Sequence, residues 1–193
     1  MLAADARLFL WLNGLVGRWG VVDSIVRVVA TDYFVPVALS LALFGLWFGS
    51  RSQAQGERQQ KAVLSVVVAV GLANLAIVFI NHAWARPRPF ADHGVALLFY
   101  RPTDPSFPSN LATMAFAMAA GVGLANRRVG VLAYLLASAA AISRVWAGVH
   151  YPLDVLAGAA LGTTATFLCR GIVRMIEPWP SRALRLVRKA YLA

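Results

Sequence analysis

The stretch "SRVWAGVHYPLD" at 143–154 sets Arg144, His150 and Asp154 between two apolar runs, 129–142 and 155–168. An imidazole serves as nucleophile or base near neutral pH, and a carboxylate can fix which ring nitrogen carries the proton. Arginine is a permanent cation whose forked donors match phosphate oxygens. Asp154 follows Pro152, so it falls in the first turn of a helix that the proline opens. From there its carboxylate can reach one nitrogen of His150 and leave the other free to attack.

Two more clusters offer related chemistry. "RPRPF" at 86–90 supplies Arg86 and Arg88, and "PSFPSN" at 105–110 precedes another apolar run. Pro108, Ser109 and Asn110 begin a helix there, whose free N–H groups, positive dipole end and serine hydroxyl make a ready anion site. The combination points to binding, or transfer, of a phosphoryl group.

Each residue also has a plainer reading. Arg86 fits a side chain that snorkels to lipid headgroups, and this is preferred over a catalytic role. His82 fits a simple interfacial residue, and Trp84, Trp146 and Tyr151 fit an aromatic belt. The sequence assigns His93 to neither class. For Arg144 and Asp154 the plain reading is poor, because a charge within a span costs about 2.5–3.5 kcal/mol on insertion scales.

The elements that must position these residues are helices in a membrane. The chain has 193 residues, 60% of them hydrophobic and 13% charged, and its mean hydropathy is +0.66. A soluble domain carries about 25% charged residues. The net charge of +10 and pI near 11.0 do not indicate nucleic acid, because the basic residues lie at the ends of apolar segments instead of forming one long run. The single cysteine, Cys169, rules out an internal disulfide. Nothing resembles a cleaved signal peptide, since 8–30 is broken by Asn13, Arg18 and Asp23.

A span needs about 20 mostly apolar residues. Five stretches qualify, at 33–50, 62–83, 109–126, 128–147 and 153–175. The fold class is therefore an all-α transmembrane bundle, a single domain over 1–193. Segment 8–30 is amphipathic and is expected to lie in the interface, with Leu8, Leu10, Trp11 and Leu15 toward lipid and Arg18, Asp23 and Arg27 toward water. A sixth span is its alternative. The basic segments 50–61, 126–128 and 182–193 then face the cytoplasm, and 84–108 and His150 face outward. Arg86, Arg88 and Arg101 break that charge rule, so they need another reason to be on the outer side.

These motifs resemble the signatures of the type 2 phosphatidic acid phosphatase superfamily. Ser143, Arg144, His150 and Asp154 match every defining position of its third signature. "RPRPF" resembles the end of the first, with Arg88 in the arginine place, and "FPSN" resembles the start of the second. The order of motifs looks most like the bacterial undecaprenyl-diphosphatase branch, closely over 81–158.

The resemblance implies a metal-independent, cofactor-free phosphohydrolase of the bacterial cytoplasmic membrane, with its site facing outward. His150 would form a phosphohistidine and Asp154 would orient it. Arg88, Arg144, Ser109 and the amide of Asn110 would hold the phosphoryl group. The partners implied are a polyprenyl diphosphate substrate and membrane lipids. A non-catalytic lipid-phosphate binder using the same pocket is the rival.

Two positions depart from the family pattern. Asn81 stands where the first signature begins with lysine, a loss that Arg86 or Arg101 would have to compensate. Leu111 stands where the second ends in the histidine that protonates the leaving group, with His93 as an unsupported substitute. A diphosphate needs that acid less than an alkyl phosphate does. Leucine nevertheless has no chemistry to offer, which favours a chain weakened at this step.

Overall fold

The structure is a computed structural model that describes residues 3–192, with side chains up to residue 187. Among the described residues there are only helices: α1 (Ala3–Asn13), α2 (Gly20–Val29), α3 (Phe34–Phe48), α4 (Gln53–Ala83), α5 (Pro89–Asp92), α6 (Asn110–Ala125), α7 (Arg127–Trp146), α8 (Pro152–Met175) and α9 (Trp179–Leu192). The five expected apolar segments are α3, α4, α6, α7 and α8. Of these, α4, α7 and α8 are each long and apolar enough to cross a membrane, and α2 with α3 forms a pair bent by 55° that passes the same test together. The chain is a multi-pass membrane protein.

Two expectations about its ends change. The helix of the span expected at 62–83 starts nine residues earlier, because α4 begins at Gln53 within the basic segment and Ser52 caps it, its hydroxyl accepting from the Gln55 amide at 3.3 Å. Segment 8–30 is not one interfacial helix. It breaks between α1 and α2, and Asp23 turns inward, not toward water, its carboxylate accepting from the Gly17 amide at 2.8 Å and the Trp146 indole at 3.0 Å. Leu8, Leu10 and Trp11 do lie exposed, as a lipid-facing surface would.

α6 is the centre of the bundle, and small residues explain how. A Cβ on Gly162 of α8 would lie 2.0 Å from the Thr113 carbonyl oxygen of α6, and one on Gly158 would lie 2.7 Å from that of Ser109. Only glycine lets the two backbones meet, the packing that bundles in lipid favour because lipid tails leave no hydrophobic drive between helices. Thr166 adds a bond across the same contact, its hydroxyl donating to the Ala117 carbonyl at 3.0 Å. On the other side of α6, Leu111, Ala115, Ala119 and Val122 join Val35 and Leu39 of α3, Val66 of α4 and Ala137 of α7 in the main apolar cluster. This rigid core brings the N-termini of α6 and α8 together, where the Ser109 amide donates to the Asp154 carbonyl at 3.0 Å.

Candidate functional site

His150 sits in the short connection between α7 and α8. Gly148, with φ of 86°, makes the turn, and a Cβ there would also lie 2.8 Å from the Ala96 carbonyl oxygen. A positive φ is open to glycine at little cost, so the sequence "AGVH" dictates where the ring goes. The ring is 1% exposed. Its Nδ1 lies 2.8 Å from the Ser106 carbonyl oxygen and its Nε2 lies 3.2 Å from Arg88 Nη1. A carbonyl only accepts, so Nδ1 carries the proton and the lone pair of Nε2 faces Arg88. Burial is the main reason that the pKa of His150 is lowered to about 4, with the Arg88 and Arg144 cations adding to the shift and Asp154 opposing it.

Asp154, in the first turn of α8, is fully buried. One oxygen accepts from the Ser106 hydroxyl at 2.5 Å and from the Tyr151 amide at 2.8 Å. The other accepts from Arg86 Nη1 at 2.5 Å. The nearest approach of its carboxylate to His150 Nδ1 is 3.7 Å. Orientation of the imidazole therefore runs through Ser106, whose carbonyl takes the ring proton while its hydroxyl is tied to Asp154. Sequence reasoning passed over Ser106; the two prolines that bracket "PSFP" are the sole hint that this backbone is held.

Arg86 corrects another expectation. It does not snorkel to headgroups: it is 6% exposed and bridges Asp154 to Asp5 of α1, the latter at 2.6 Å. Asp5 also accepts from the Leu153 amide at 3.0 Å, so α1 is pinned to the start of α8. The Arg86 guanidinium lies over the Tyr151 ring at 4.2 Å.

Arg88 and Arg144 are both buried, and each reaches a carboxylate nearer the surface, Asp104 exposed and Asp32 half-buried. Arg88 Nη2 lies 3.0 Å from Asp104, and its other donors go to the carbonyls of Asp104 and Val149, at 2.8 and 2.9 Å. Arg144 Nη1 lies 2.8 Å from the Ala30 carbonyl and 3.1 Å from Asp32, while its buried Nε has no partner. Beside Arg88 and Asp104 a cavity of about 290 Å³ opens, lined also by Arg86, Phe90 and Thr103. Arg86 and Arg88 line this hollow, and Arg88 also reaches the lone-pair nitrogen of His150, an arrangement suited to a phosphoryl group.

The remaining residues divide. Ser109 is buried as the N-cap of α6, its hydroxyl accepting from the Ala112 amide, and Asn110 follows it exposed. Leu111 lies in the first turn of α6 as expected, but at 3% exposure its side chain serves the apolar cluster. Asn81 ends α4 with a buried, unpartnered Oδ1. His93 packs against the rings of Phe9 and Tyr151. Arg101 is exposed and lies 5.8 Å from the Phe90 ring. Trp84 is exposed, consistent with an aromatic belt. Trp146 and Tyr151 are not belt residues, since both are buried, Tyr151 completely. His82 is exposed, in keeping with an interfacial place. Among the described residues, no three His, Cys, Asp or Glu side chains converge as a metal site would require.

Residues 62–177 match the PAP2 superfamily. The chain is 31% identical over 180 residues to undecaprenyl-diphosphatase BcrC of Bacillus subtilis, covering 93% of this chain and 89% of that protein. It is 30% identical to putative undecaprenyl-diphosphatase YbjG of Escherichia coli, over 72% of this chain and 67% of YbjG. Among solved structures, Aquifex aeolicus LpxE superposes with a TM-score of 0.70 at 27% identity, over 87% of this chain and 95% of LpxE. A PAP2-type phosphatidylglycerolphosphate phosphatase of Bacillus subtilis superposes with a TM-score of 0.65 at 22% identity, over 91% and 87%, a likeness of fold alone.

Proposed function

The chain belongs to the PAP2 superfamily and is a membrane phosphatase of lipid phosphates, and from that premise we propose that it hydrolyses undecaprenyl diphosphate to undecaprenyl phosphate and inorganic phosphate. His150 Nε2 attacks the terminal phosphorus. A P–N bond forms as the bridging P–O bond breaks, and the lipid phosphate leaves with the electron pair. Water then cleaves the phosphohistidine. Arg88 turns from Nε2 to the phosphoryl oxygens, Arg144 offers its orphaned Nε, and the α6 N-terminus at Ser109 and Asn110 adds its dipole. Ser106 holds the ring and Asp154 holds Ser106.

The observation that carries this reading is the lone pair of His150 Nε2, 3.2 Å from Arg88. The diphosphate is favoured over a monoester by Leu111, because a lipid phosphate departs without the proton that an alkoxide requires. The site faces the outer side of the bacterial cytoplasmic membrane, supported by the lysines and arginines at the other face. The test is phosphate release by the purified protein from a panel of lipid mono- and diphosphates. Turnover of undecaprenyl diphosphate is expected; binding of it without phosphate release would establish the binder instead.

A further inference from the structure

The end of the bundle away from His150 carries a second feature that the hydrolytic site does not use. Between the start of α4, the end of α6 and the start of α7 lies a mostly polar cavity of about 540 Å³, lined by Arg58, Gln59 and Arg127 among others. Adjoining it, and sharing Gly123 and Arg127, is a mostly apolar groove of about 430 Å³ that runs along α7 past Val131 and Leu135 to Ser138. Gly123 and Gly130 make its floor: a Cβ on Gly130 would lie 2.4 Å from the Gly123 Cα, so the two helices touch there without side chains to fill the space.

Three features of the polar half specify an occupant. Arg58 and Arg127 are exposed and make no hydrogen bond, ion pair or ring contact among the described residues. The nearby carboxylates of α4 and the α8–α9 turn are already committed, Glu57 and Glu177 both pairing with Lys61 and Ser181. Gln59, 3% exposed, has a buried Oε1 with no donor. Two free cations ask for an anion, the orphaned oxygen asks for a hydroxyl or amine, and the groove asks for an acyl chain.

We infer that this composite cavity is a binding site for an anionic glycerophospholipid with a hydroxyl on its headgroup. The phosphate lies between Arg58 and Arg127, the headgroup hydroxyl donates to Gln59 Oε1, and one acyl chain follows the groove along α7. The site is separated from His150 by the length of α7, 20 residues, or about 30 Å at 1.5 Å per residue. It is thus independent of the hydrolytic chemistry, and its failure would leave that reading untouched.

Native mass spectrometry of the full-length protein in detergent tests it. With phosphatidylglycerol, a one-lipid adduct is expected that phosphatidylcholine does not form. Arg58→Gln with Arg127→Gln should weaken it about twenty-five-fold, at about five-fold per arginine. Phosphatidylmethanol has the same charge but no hydroxyl; wild type should hold it several-fold less tightly, and Gln59→Leu should erase that preference. Equal retention of phosphatidylglycerol by the double variant overturns the proposal. So does displacement by millimolar sn-glycerol 3-phosphate, which would make this a site for a soluble phosphate ester. Both arginines are exposed, so lipid-free melting and phosphate release should match wild type and exclude misfolding as the cause.

Discussion

The Nδ1 atom of His150 lies 2.8 Å from the carbonyl oxygen of Ser106, and the hydroxyl of that serine lies 2.5 Å from Asp154. The backbone thus holds the ring proton, while the carboxylate holds the backbone. His150→Ala should reduce phosphate release to background, since nothing else supplies the nucleophile. Ser106→Ala keeps the carbonyl and loses one bond to a buried charge, which should slow turnover about 10- to 100-fold. Asp154→Asn should fall between the two. Steady-state rates in detergent decide it, and a His150→Ala protein with near-normal release sinks the covalent route.

Arg86 stands between two buried carboxylates, Asp154 and Asp5. Arg86→Met removes the one cation that, among the described residues, pairs with both, and the repelling, desolvated pair should cost about 3–5 kcal/mol. A large drop in melting temperature is expected, whereas Asp5→Asn, which leaves Arg86 one partner, should lower it less. An unchanged melting temperature in Arg86→Met would show that the network bears no weight.

Burial keeps His150 neutral well below the usual range, with its pKa lowered to about 4. The neutral ring is the attacking form, so the acid limb of kcat/KM should lie near pH 4, not near 6.5. The sign for stability follows. Between those values the unfolded chain binds a proton that the folded chain does not, so stability is full above 6.5 and falls as pH drops toward 4. A rate profile from pH 3.5 to 8 with its acid limb at 6 or above contradicts this.

Leu111→His introduces a proton donor in the first turn of α6. Turnover of a lipid monophosphate should rise about 10²–10⁴-fold, with a smaller gain on a diphosphate. The imidazole replaces a leucine of the apolar cluster, so about 1–3 kcal/mol of stability should be lost in exchange. Rates unchanged on both substrates would show that the missing acid is not what limits the protein.

Sidedness is open to a direct test at two exposed positions, Thr103 and Arg51. In intact cells Thr103→Cys should react with an impermeant thiol reagent and Arg51→Cys should not, with the buried Cys169 silent in both. The opposite pattern reverses the orientation.

The sequence by itself determined the class of fold and named most residues of the candidate site. Apolar runs of span length have few alternatives in water or lipid, so α3, α6, α7 and α8 were legible within a few residues, while α4 begins nine residues before the apolar run at 62–83. His150, Asp154, Arg88, Arg144 and Ser109 were legible because charged and capping residues between such runs are costly without a purpose. What tertiary structure decided is who touches whom. A period of 3.6 residues cannot reveal that Asp5 crosses to Arg86, or that Asp23 turns inward to Trp146 and splits the N-terminal segment. Nor can it show that the partner of His150 Nδ1 is a carbonyl, because every residue carries one and its aim depends on how α6 and α8 are packed. The pairing of Asp154 with Ser106 and Arg86 in place of a direct bond to His150 comes from that packing, set by glycines at 158 and 162 that let two backbones meet.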